Sequence, residues 1–169
     1  MAGLVLVDAN VLARAVHVPD PQHATVLAAI DRLLALGADV AYTPQAVRET
    51  YHFYTRPIAA NGFGLDQAKA LALLDLIDDG PMALREDTPD LYREWRGILA
   101  TTHVLGAQAH DAYHAAAVRA HGASHFLTLD RKDFDRYARV EVLRPGQVLE
   151  PNFGLNRGRS PGPDTGIDL

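Results

Sequence analysis

Gly3-Leu4-Val5-Leu6-Val7-Asp8-Ala9-Asn10-Val11-Leu12 is an apolar run that ends on a carboxylate and then restarts with helical character. Continuous apolar runs of this length, without alternation, suit strands buried on both faces, as in a parallel sheet. Asp8 then stands where the strand opens into a loop. Open α/β sheets bind their ligands there, because the diverging loops leave a crevice. The function turns on whether other carboxylates converge on Asp8.

The length of 169 residues fits one domain with a full hydrophobic core, and 48% hydrophobic with 22% charged residues is the balance of a soluble globular protein. The chain has no cysteine, which excludes a disulfide framework and a thiolate zinc site. The first apolar run is short and has no basic segment before it, so neither a signal peptide nor a membrane span is expected. A cytoplasmic location is the expectation. The net charge of −5 is unlike that of proteins that grip nucleic acid mainly through phosphates. It is compatible with phosphate chemistry if clustered carboxylates hold cations, because the ion reverses their local sign.

Periodicity and punctuation predict alternating elements along the chain. A short helix over Asn10–Val16, with Asn10 as its cap, precedes the Pro19-Asp20-Pro21 break. A helix over His23–Leu36 stops at Gly37, and a strand over Val40–Tyr42 leads to Thr43-Pro44, a cap followed by a first-turn proline. The next helix runs from Pro44 to Arg56, and Pro57 with Asn61-Gly62-Phe63-Gly64 makes a loop. Leu65–Asp79 is an amphipathic helix, Met82–Arg85 a brief strand, and Pro89–His103 a helix. Gln108–His121 is a helix stopped by Gly122, and His125–Leu129 an apolar strand. Lys132–Tyr137 is a short helix and Val140–Leu143 the last strand. Residues 1–149 therefore form one α/β domain on a parallel sheet. Residues 150–169 are a polar Pro/Gly-rich tail, expected to be disordered.

Acids fall at the ends or edges of these elements. Asp8 and Asp130 end apolar strands, Glu49 lies one turn into the third helix, Asp111 is in a first turn, and Asp133 follows Asp130. At roughly 100° per residue, Asp111 shares the core-facing stripe of Ala115 and Val118. Glu49 borders the apolar face of Val47, Thr50 and Tyr54. Singly, each acid has an ordinary structural reading as a cap, a dipole partner or a boundary residue. Together they sit on core-facing stripes with few cations beside them, which costs desolvation unless they are paired or share a cation.

The motifs Leu6-Val7-Asp8-Ala9-Asn10-Val11-Leu12, Glu49, Asp111-Ala112-Tyr113-His114-Ala115-Ala116-Ala117 and Leu127-Thr128-Leu129-Asp130-Arg131-Lys132-Asp133-Phe134 together resemble a PIN-domain ribonuclease. Within that family the chain is most similar to the bacterial VapC-type toxins, over roughly residues 3 to 149. The resemblance implies a three-layer α/β/α fold with about five parallel strands. It implies a catalytic site of Asp8, Glu49, Asp111 and Asp130 that binds Mg²⁺ or Mn²⁺. Asp8, Asp111 and Asp130 would be ligands, and Glu49 a ligand or the holder of the reacting water. Asn10, Thr128 and Asp133 would support them. Oxygen-only ligands suit such hard cations, which activate water and stabilise the leaving oxygen in phosphodiester hydrolysis. The Pro57–Gly64 loop and the tail after Glu150 depart from the compact toxins.

The toxin reading implies an RNA substrate, a cognate antitoxin over the acidic cleft, and a homodimer. Local basic groups must then guide RNA: Arg14 and His17, Arg48, His52 and Arg56, and Arg131-Lys132. Three other readings compete. His110, His114 and His121 share a stripe and would suit an HD-type phosphohydrolase, but that domain is all-helical; the stripe is expected to be a partly exposed face or a subunit contact. A haloacid-dehalogenase-like phosphatase needs a second aspartate where Asn10 stands. A PIN-like RNA-binding or interaction module with weak catalysis is the third.

Overall fold

The computed structural model describes residues 3–155. Five parallel strands form one sheet: β1 (Leu4–Val7), β2 (Asp39–Tyr42), β3 (Ala83–Leu84), β4 (His125–Leu127) and β5 (Val142–Leu143), in the spatial order β3-β2-β1-β4-β5. Helices α1 (Ala9–Val16), α2 (His23–Ala35), α3 (Pro44–Thr55), α4 (Gln67–Asp78), α5 (Leu91–Thr101), α6 (Gln108–Ala120), α7 (Arg131–Phe134) and α8 (Pro145–Val148) connect and cover them. This is the expected α/β/α sandwich on a parallel sheet.

Strand side chains alternate between the two faces, and two cores follow from that period. Val5, Val7, Val40, Tyr42 and Leu127 pack under α1 and α2, with Val11, Leu12, Ile30 and Leu33. Leu6, Ala41 and Phe126 pack on the other face against α5 and α6, where Ala112, Ala115 and Ala116 bring α6 close to the sheet. A third cluster joins Ala13, Tyr54 and Ala70 with Phe53 and Phe63. It clamps the loop expected at Pro57–Gly64, which contains a 3₁₀ turn at Ile58–Ala60.

The stop signals hold: Gly37 and Gly122 follow α2 and α6 at φ of +82° and +61°, which a side chain would resist. Thr43 caps α3, its hydroxyl accepting from the Ala46 amide at 3.3 Å, with Pro44 in the first turn. Thr43→Ala should lower stability by about 1 kcal/mol, read as a shifted urea midpoint at unchanged m.

Several boundaries differ from expectation. Asp8, not Asn10, caps α1, accepting from the Ala9 amide. The strand expected to reach Leu129 stops at Leu127: the Thr128 amide still donates to the Leu143 carbonyl, but the Leu129 amide donates to the Asn10 side chain instead of to a neighbouring strand. Asp66 caps α4, so that helix starts at Gln67 rather than Leu65. Of the expected polar tail, residues 150–155 are described, and Phe153 and Leu155 pack against the first core; residues 156–169 lie outside the described residues. Among the described residues, no helix is long and apolar enough to cross a membrane.

Candidate active site

The strand order reverses beside β1, which pairs with β2 on one side and β4 on the other. A crevice opens beyond the carboxyl ends of strands at such a switch point. Val7 stands opposite Leu127 in the β1–β4 register. The next residue on each strand is Asp8 and Thr128, so the sheet itself sets the first pair of site residues.

Asp8 is 7% exposed and its polar atoms are all engaged. Oδ1 accepts from the Ala9 amide at 2.7 Å, and Oδ2 accepts from the Thr128 hydroxyl at 2.6 Å. The same hydroxyl oxygen accepts from the Asp130 amide at 3.1 Å and from Asn10 Nδ2 at 3.3 Å. Asn10 Nδ2 also donates to Asp130 Oδ2 at 3.0 Å, while Asn10 Oδ1 accepts from the Leu129 amide at 3.2 Å. Asn10 thus ties the first strand's loop to the fourth strand's loop and aims Asp130. Its amide is matched on both sides, which fixes its orientation.

Glu49 arrives from α3 and is held at both oxygens. Gln45 Nε2 donates to Oε1 at 2.6 Å and to the His110 carbonyl at 3.0 Å. His114 Nε2 lies 3.1 Å from Oε2 and 3.7 Å from Asp8 Oδ1. The ligand atoms of Asp8, Glu49 and His114 lie within 4.8 Å of one another. Asp111, on α6 one turn before Ala115, is half-buried and lines the same cleft. The cleft, about 270 Å³, is lined by Asp8, Asn10, Glu49, Asp111, Asp130 and Asp133, with His52, Phe53 and Arg56 along its rim.

The electrostatics reflect crowding. Burial raises the Asp8 carboxyl above its ordinary value despite His114 and Thr128. Burial, then the Asp133 and Asp8 charges, push Asp111 up to about 6. Burial also lifts Glu49, but the His114 and Gln45 hydrogen bonds outweigh it and leave Glu49 below the usual range. Burial depresses His114, and the Glu49 hydrogen bond with the Asp8 and Glu49 charges reverses this to a net rise. An acid pushed up by neighbouring acids is one that a cation would relieve.

The basic candidates are placed unequally. Arg14 is turned away from the cleft, over the Phe53 ring at 5.2 Å, bonded to the Asn10 carbonyl at 2.8 Å and to Asp20 at 3.4 Å. Arg48 is exposed in a neighbouring pocket with Trp95, His110 and Tyr113. Arg131 and Lys132 are exposed on α7, with Arg131 3.3 Å from Asp135. His52 and Arg56 reach the cleft; His17 instead stacks on Phe63 at 4.3 Å.

The histidine stripe needs correction. His110 is exposed and His121 half-buried, but His114 is 2% exposed and joins the site. A signal was present: His114 stands three residues after Asp111, and helix residues three apart share a face.

The fold and the site define a parallel α/β/α domain with a carboxylate-lined cleft at its switch point. The profile of the PIN domain family matches residues 5–140, and the chain belongs to that family. PIN domains are generally nucleases. No curated protein matches the chain. The fold is similar to solved structures of VapBC2 from Rickettsia felis bound to a promoter DNA fragment, at 13% identity and a TM-score of 0.60 over 83% of this chain and 98% of that one. It is similar to VapC20 of Mycobacterium tuberculosis, described as a sarcin-ricin-loop-cleaving toxin, at 19% identity and a TM-score of 0.55 over 80% and 98%. FitAcB from Neisseria gonorrhoeae matches at 24% identity and a TM-score of 0.55 over 84% and 98%.

Proposed function

We propose that this chain is a Mg²⁺- or Mn²⁺-dependent endoribonuclease and the toxin of a toxin–antitoxin pair. The observation that carries the reading is the convergence of Asp8, Glu49, Asp111 and Asp130 on one cleft. The donor set fits the cation: carboxylate oxygens dominate it, and buried Asp8 has no lysine or arginine partner among the described residues.

Asp8, Asp111 and Asp130 would hold the ion, and Glu49 would be a further ligand or hold the water bound to it. When bound, the ion supplies charge neutralisation at the scissile phosphate and lowers the pKa of the attacking water. The chain's own groups do the rest. The Thr128 hydroxyl donates to Asp8 and the Asn10 amide to Asp130, which orients the two carboxylates. Glu49, held at both oxygens, would keep a fixed position beside the ion and its water. Asp133 adds negative charge at the outer wall. Arg56 and His52 at the rim, with Arg48, Arg131 and Lys132 further out, guide the phosphate backbone.

The partners follow from the surface. A basic or amphipathic antitoxin segment would complement the acidic cleft. The reading also includes a homodimer, for which the aromatic face of α5, with exposed Tyr92 beside a groove of Trp95, Arg96 and Leu99, is the candidate surface. An RNA-cleaving toxin acts in the cytoplasm, which the reading therefore includes.

Incubation of the purified chain with total RNA and Mn²⁺ should give discrete cuts that EDTA abolishes and excess Mn²⁺ restores. RNA retention without cleavage, in either cation, would leave a binding module instead.

A further inference from the structure

The acidic residues of the cleft and the cation they would hold do not account for His114. It is a buried imidazole among carboxylates, and it is absent from the residues lining the cleft. It stands behind Asp8 and Glu49 rather than beside them. Its ring packs on Phe126, with centroids 5.6 Å apart, so the core holds it in place.

We infer that His114 is a positioning residue: together with Gln45, it clamps the Glu49 carboxylate against Asp8, so that the cation site is preformed in the free chain. The inference rests on the cation reading above and goes beyond it, by naming a group that acts without touching substrate or cation. The clamp has two jaws, His114 and Gln45, and both are anchored on α6. His114 Nε2 donates to Glu49 Oε2 at 3.1 Å, and the His110 carbonyl, one turn earlier, anchors Gln45 at 3.0 Å. Gln45 in turn donates to Glu49 Oε1 at 2.6 Å. Glu49 and Gln45 both belong to α3, so α6 holds the Glu49 carboxylate directly through His114 and indirectly through Gln45. Asp111 lies on α6 between the two anchors. One helix therefore sets the relation of two carboxylates.

Without the clamp, Glu49 is a half-exposed glutamate with three rotatable torsions beside another carboxylate. Repulsion and side-chain entropy would carry it into solvent. A cation would then have to draw it back, at the expense of affinity. Supporting hydrogen bonds of this kind are worth roughly 10–100-fold in metal affinity.

The test measures Mn²⁺ affinity by titration calorimetry and by the EPR signal of free Mn²⁺, on the full chain. His114→Leu should bind Mn²⁺ at least about 10-fold more weakly while keeping the wild-type circular dichroism and a cooperative melt. His114→Gln, which restores an N–H donor, should recover most of the affinity. Electron spin-echo modulation of the wild-type Mn²⁺ complex should show no coordinated nitrogen. Unchanged affinity in His114→Leu overturns the inference, and so does failure of His114→Gln to recover any. A nitrogen coupling lost in both variants overturns it too, making His114 a ligand. If His114→Leu fails to fold, His114→Gln against Gln45→Leu repeats the comparison from the other jaw. Mn²⁺ binding that survives Asp8→Asn unchanged would instead sink the cation reading itself.

Discussion

Asp8→Asn should lower the rate of RNA cleavage by at least about 10²–10³-fold, the usual cost of removing one charge-stabilising group from a site of this kind, and should do so without unfolding the protein. The substitution keeps the shape of the side chain. Asparagine Oδ1 can accept from the Ala9 amide, so α1 keeps its cap, while the Thr128 hydroxyl, whose oxygen already accepts from Asp130 and Asn10, loses its acceptor. What disappears is the charge. Asp8 is nearly fully buried beside Glu49 and in the same cleft as Asp111, and burial of an ionised carboxylate without a cation is costly. The unpaired Thr128 hydroxyl offsets that relief, so the cation-free variant should melt close to the wild-type temperature. Mn²⁺ separates the two. A ligand at 100 times its Kd stabilises the folded state by about 2.7 kcal/mol, and a chain of this size gains about 2–4 °C per kcal/mol. Wild type should rise by that amount and the variant should not. Cleavage that persists in Asp8→Asn, or a variant that melts well below wild type without cation, would remove Asp8 from the centre of the site.

The same residue shows how far the sequence carries. Asp8 at the end of a run buried on both faces announces a parallel strand with a ligand-facing mouth, because an apolar run of that length has few other uses. Glu49, Asp111 and Asp130 are legible for a related reason: each carboxylate lies where helix or strand geometry would place an apolar residue or a loop. The five strands and the order of helices follow from periodicity and from stops such as Gly37 and Gly122, whose left-handed backbone the structure shows.

The rest was hidden by distance in sequence. Asn10 reads as a cap because capping is local, yet its amide reaches Thr128 and Asp130, about 120 residues away. Arg14 reads as an RNA contact because it follows the first motif; the aromatic cluster built by the Pro57–Gly64 loop draws its guanidinium inward instead. His114 reads as one of a stripe of three histidines because they share a residue type, whereas its spacing to Asp111 carries the information. Contacts between α3 and α6 decide its role, and no local pattern encodes them.

Phe126→Ala should produce the largest loss of stability of any single change considered, about 3–5 kcal/mol, a large share of the roughly 5–15 kcal/mol typical of a folded domain. Phe126 is 1% exposed in β4, between β1 and β5, with Phe134 4.8 Å away and His114 5.6 Å away, ring centre to ring centre. Removing the ring opens a cavity between the sheet, α6 and α7, and the alanine-rich face of α6 has no long side chains to collapse into it. Phe126→Leu keeps most of the volume and should cost less than about 1.5 kcal/mol. Phe153→Ala removes the same ring from a partly exposed position against Arg32, and should cost far less than Phe126→Ala. Urea unfolding of the three variants gives the order directly. The argument extends to the site, because Phe126 is the wall that keeps His114 behind Glu49. If the clamp works as inferred, Phe126→Leu, although folded, should bind Mn²⁺ more weakly than wild type, while Phe153→Ala should bind it equally well. Equal Mn²⁺ affinity in both would mean that the core supports the sheet but not the position of His114.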